Sequence, residues 1–159
     1  MHVPVIYEHW SESDKKVIEP LTQLHVSQEE LFVRKLVNAT IIRGELYEHT
    51  ANESEDGHRH LIYAKKFNPE DYNYGKALYE AAFDAYQVSS GSIACEYVLW
   101  KGRSFQSFEL NIPLSSTMDI ARLLLDHYLV HRDETYESVY TVFDTDRSKV
   151  VLYLKRGEF

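Results

Sequence analysis

Residues 115–131, SSTMDIARLLLDHYLVH, read as a helix set between two stretches that read as β-hairpins, and that alternation restricts the folds open to the chain. Ser115 or Ser116 can cap the helix start, with Asp119 in the first turn. Ile120 and Leu124 mark an apolar face at helical spacing. Upstream, residues 92–100 and 104–112 carry strand-like patterns and meet through Lys101-Gly102-Arg103. Downstream, residues 136–143 and 149–155 do the same around a turn at 144–147, where Asp144 and Asp146 suit an Asx turn.

The rest of the chain repeats the theme. Ser27 and Glu30 form a capping box ahead of a helix running to about Asn38, with Phe32, Val33, Leu36 and Val37 on one face. Residues 39–49 read as one strand with Gly44 as a bulge, 50–57 as an acidic loop and 58–67 as the returning strand. From 74 to 88 the period is helical again. Residues 3–7 suit a short strand, and a short helix either ends near Glu19 or begins at Pro20, so residues 1–26 are expected to form an N-terminal arm or helix. A likeness between Phe83–Tyr86 and Leu125–Tyr128 hints at a repeat of about forty residues. One α+β domain over 1–159 follows. It is a two-layer sandwich, an antiparallel sheet of three hairpins with about three helices on one face.

Composition narrows the function. The net charge of −8 and the scatter of 17 basic residues argue against nucleic acid, because phosphate binding needs clustered Lys and Arg. No apolar run is long enough for a membrane, the N-terminus lacks the marks of a signal peptide, and Cys95 is the single cysteine. A cytoplasmic protein is therefore expected. The chain shows no phosphate loop, nucleophile elbow or zincin motif, calls for no cofactor, and points to a binding protein before an enzyme.

Two surfaces carry chemistry. Twelve tyrosines and seven phenylalanines exceed what a minimal core needs, and tyrosine suits interfaces because it is large, rigid and amphipathic. The hairpin around the acidic loop combines them with carboxylates: Glu45, Tyr47, Glu48, Glu53, Glu55, Asp56 and Tyr63 form the expected binding set for a basic protein partner. The alternative is a metal site or metal-dependent enzyme on the same hairpin. His58 and His60 alternate onto one face about 7 Å apart, and His49 lies on the facing strand. His127 and His131 are also spaced for a metal, but they fall against the apolar face of their helix and suit packing and titration at mildly acidic pH. A third possibility is a structural homo-oligomer. In size, acidity and layout the chain resembles bacterial immunity proteins that block toxins, and acidic secretion chaperones. Those resemblances imply a non-enzymatic protein that holds a partner.

Overall fold

The computed structural model describes residues 2–83 and 93–157. Of these, 54% lie in strands and 19% in helices. The strands are β1 (His2–Ser11), β2 (Lys16–Ser27), β3 (Ala39–Ile42), β4 (Glu45–Glu55), β5 (Arg59–Lys66), β6 (Ala94–Trp100), β7 (Phe105–Phe108), β8 (Tyr128–His131), β9 (Glu134–Asp144) and β10 (Lys149–Arg156). The helices are α1 (Gln28–Leu36), α2 (Gly75–Ala82) and α3 (Thr117–Leu124). All ten strands join one sheet in the order β2-β1-β5-β4-β3-β9-β10-β6-β7, with β8 beside β9.

This overturns the expected two-layer antiparallel sandwich. Three seams are parallel, β1 with β5, β3 with β9 and β10 with β6, so the sheet is mixed. Helices also cover both faces. Val150, Leu152 and Leu154 of β10 pack in a cluster with Val33 of α1 and Ile120 and Ala121 of α3. Val151 and Tyr153 point the other way, into a cluster with Leu78, Ala81 and Ala82 of α2. A strand covered on both faces needs no polar side, which is why KVVLYLKR is a near-continuous apolar run.

Four local expectations change with it. Residues 115–131 are not one helix: α3 stops at Leu124, and Tyr128–His131 pairs with β9, reversing at Arg132 and Asp133, both at positive φ. The aromatic and β-branched residues in that stretch suit a strand, and the bare edge of β9 supplies the partner. His127 is therefore exposed, not packed against the sheet. Residues 1–26 are neither arm nor helix; β1 and β2 form an antiparallel hairpin at the sheet edge. Residues 39–49 are two strands, because Arg43 and Gly44 adopt φ of 48° and 76° and make a tight turn whose amides both donate to the Asp146 carboxylate. The acidic loop is the paired end of β4, turning at Asp56-Gly57. Of the helix expected over 74–88, Gly75–Ala82 is present; residues 84–92, and with them most of Phe83–Tyr86, lie outside the described residues.

The caps hold as read. Ser27 accepts from the Glu30 amide at 3.1 Å, and Ser116 from the Asp119 amide at 3.3 Å. Glu30 does not reach back to Ser27, because its carboxylate accepts from Arg34 at 2.8 Å. Arg34 is buried and spans the molecule: its guanidinium donates to Tyr7 on β1 at 3.0 Å and to Thr145 after β9 at 3.1 Å, and lies 3.9 Å over the Phe143 ring. A buried guanidinium satisfied by a carboxylate, two hydroxyls and an aromatic face carries little desolvation penalty.

Candidate protein-docking surface

Alternation along β1 sends Val5 and Tyr7 toward α1 and leaves Ile6, Glu8 and Trp10 on the opposite side. Parallel pairing sets Ile6 beside Leu61 and Glu8 beside Tyr63. Across β5, Tyr63 faces Ala51, Leu61 faces Glu53 and Arg59 faces Glu55. These residues share one face of the N-terminal half of the sheet. Among the described residues the main helix contacts of β1 and β2 come from α1 on the other side, and α2 packs over Leu46 and Phe67 at the inner end of this half and over β6, β9 and β10. Ile6 and Leu61 on this face are buried.

The polar layer on this face is ordered. The Tyr63 hydroxyl donates to Glu53 Oε2 at 2.5 Å, and the Trp10 and Tyr63 rings meet edge to face with centroids 5.6 Å apart. The bond to Glu53 raises the Tyr63 hydroxyl to about 12, helped by burial and by the charges of Glu53, Glu8 and Glu55. Glu55 pairs with Arg59 at 2.9 Å, while Glu8 has no ion-pair partner among the described residues. A register shift after His49 displaces Thr50, which donates to the Tyr63 carbonyl at 3.1 Å. Beside it a recess of about 370 Å³ opens, lined by Trp10, Glu12, Thr50, Ala51, Glu53 and Tyr63.

The expected binding set divides between the faces. Glu53, Glu55 and Tyr63 come together as described, with Asp56 at the hairpin tip. Glu48 shares their face but sits near the α2 cluster, accepting from Tyr72 at 2.7 Å and Tyr140 at 3.1 Å. Both hydroxyls are pushed up, by burial first and then by Glu48. Tyr47 lies on the α1 side, buried against the His9 ring, and Glu45 is exposed where β4 begins. Glu8 and Trp10 were missed, because the first strand carries no alternation clear enough to tie it to residues 55 positions away, and parallel partners leave no turn between them.

The three candidate metal ligands do not converge. His49 sits opposite Ala64, while His60 sits opposite Ser54. His49 lies under α1 with Nε2 2.6 Å from the Thr40 hydroxyl; burial and the Arg34 charge push it down to about 4, against a smaller upward pull from the Val37 backbone. His60 Nδ1 is 2.8 Å from Lys35 Nζ, and burial, Lys35 and His58 lower it. His58 is exposed in the turn. Among the described residues no group of three or more His, Cys, Asp or Glu is placed to hold a metal ion. Burial pushes the Cys95 thiol up to about 12, far from thiolate chemistry. Among the described residues no helix is long and apolar enough to cross a membrane. No known protein family, curated protein or solved structure matches the chain.

Proposed function

We propose that this protein is a non-enzymatic binding module that holds a basic protein partner on the bare face of β1, β5 and β4. The observation that carries this is the grouping of Glu8, Glu53 and Glu55 around the Trp10–Tyr63 pair on a part of the sheet face that no helix among the described residues covers. Aromatic anchors flanked by carboxylates suit a surface rich in Lys and Arg, where charge steers the encounter and the rings supply contact area. An immunity-type inhibitor and a secretion chaperone both fit. An inhibitor abolishes its partner's activity on binding, whereas a chaperone keeps the partner soluble and releases it.

The full chain and a Glu8→Gln/Glu53→Gln/Glu55→Gln variant, both immobilised, are exposed to extract of the native cell across a salt series. The wild type is expected to retain a stoichiometric basic protein, less of it as salt rises, and the variant to retain little while keeping its melting temperature. Equal retention by both, or no stoichiometric protein at any salt, overturns the proposal.

A further inference from the structure

We infer that the recess between Trp10 and Glu53 is a side-chain pocket for arginine, the anchor point of the basic partner; this rests on the binding-module reading above. Its walls are chemically divided. Trp10 and Tyr63 offer aromatic surface, Thr50 and Ala51 are small, and Glu53 and Glu12 supply carboxylates. A guanidinium matches that combination, since it stacks on a ring while forking two N–H donors toward a carboxylate. An ammonium is compact and more strongly hydrated, and gains less from the ring. The recess, about 370 Å³, holds an arginine side chain together with the backbone that presents it.

The pocket is also set for an external cation. Tyr63 holds one oxygen of Glu53 and so fixes the carboxylate, and the other oxygen has no hydrogen bond among the described residues. Fixing that group beforehand lowers the ordering cost of binding. The chain's own nearby cations are committed elsewhere: Arg59 to Glu55 at 2.9 Å and Lys65 toward Asp71 at 4.0 Å. Lys15 reaches Glu12 only at 3.9 Å with its side chain largely in solvent. Glu8, beside Tyr63 in the adjoining strand, adds negative potential without a counterion of its own.

The test follows the Trp10 indole N–H in ¹⁵N-labelled full-length protein, assigned with Trp10→Phe. The probes are short peptides identical except for one central arginine, lysine or citrulline. The arginine peptide is expected to shift the Trp10 signal saturably, with affinity roughly fivefold or more above the lysine peptide, and the citrulline peptide to leave it unmoved. Glu53→Gln should weaken the arginine response about tenfold while the remaining amide spectrum stays native. Equal responses to arginine and lysine, or an unmoved Trp10, overturn the arginine pocket. If cationic peptides then still shift the amides of β1, β4 and β5, the broader face survives without its pocket. If no cationic peptide shifts that face, both proposals fall. Should Glu53→Gln disturb the fold, Trp10→Leu supplies the same comparison through the Tyr63 ring signals.

Discussion

At the scale of single residues, His49 gives a pH response whose sign follows from its burial. Part of its imidazole lies beneath α1, with Thr40 at Nε2, the Val37 backbone beside the ring and the Arg34 charge nearby. The folded protein holds it neutral down to about pH 4, while the unfolded chain takes up the proton near 6.5. Between those values the unfolded state binds more protons, so stability is complete above the upper one and falls as pH drops toward the lower one. Wild-type protein should lose about 2 kcal/mol from this group between pH 7.5 and 5. Urea unfolding at both pH values should give a smaller loss for His49→Gln by that amount. Equal losses would move the response to another group. The i, i+4 pair His127 and His131 drew this role in the sequence because helical spacing was extended past Leu124; the strand at Tyr128–His131 removes its premise.

At the scale of elements, what the chain states locally is what proved legible. Ser27 and Ser116 accept from amides three residues ahead, and Asp144 takes the Arg147 amide at 3.1 Å in the Asx turn between β9 and β10. Such signals act within four residues and survive any tertiary arrangement. The β1–β2 hairpin was illegible because most of β2 is an exposed edge: from Lys16 to Pro20 every residue is exposed, so no buried face imprints an alternation. Its Pro20 breaks a helical pattern and equally suits an edge strand. The candidate surface was half legible for the same reason, since the β4–β5 hairpin announces itself and the parallel seam to β1 does not. One element-scale feature has no sequence motif at all. Gly75 opens α2, and a Cβ there would sit 1.8 Å from the Pro69 carbonyl oxygen. Gly75→Ala must push α2 off its seat over Leu46, Phe67 and Tyr153. Overpacking of this kind costs about 2 kcal/mol. Chemical denaturation should show that loss with the helical signal of α1 and α3 retained, and a neutral substitution would mean that the Pro69 turn yields freely.

At the scale of the whole molecule, the sheet is two halves with unequal cover. Among the described residues, β9, β10 and β6 have helices on both faces, while β2, β1, β5 and the outer part of β4 have α1 on one face. Only three residue pairs, Ala39–Ile41 with Val142–Asp144, connect β3 to β9. The halves are also tied by Tyr140 donating to Glu48, by Thr141 donating to Asn38, by the Arg43 and Gly44 amides donating to Asp146, and by α1, whose Val33 packs in the cluster under α3 and whose Leu31 packs with Val5, Tyr7 and Ile62. Arg34 fastens the two together, touching Tyr7 on one side and Phe143 and Thr145 on the other. Were this joint weaker than either half, the N-terminal half would open while the far half stays folded, the outcome that hydrogen exchange tests. Removing the guanidinium strands a partly buried Glu30 and two hydroxyls, which costs about 2–3 kcal/mol. Native-state hydrogen exchange on Arg34→Met should report that loss in the amides of β1 and β5, with β10 keeping its wild-type protection. Opening of one half would also expose the proposed docking face to rearrangement, so a basic partner bound there should restore protection to β1 and β5 first. A uniform fall that includes β10 would instead show that the ten strands unfold as one unit, with Arg34 stabilising the whole sheet and not its joint.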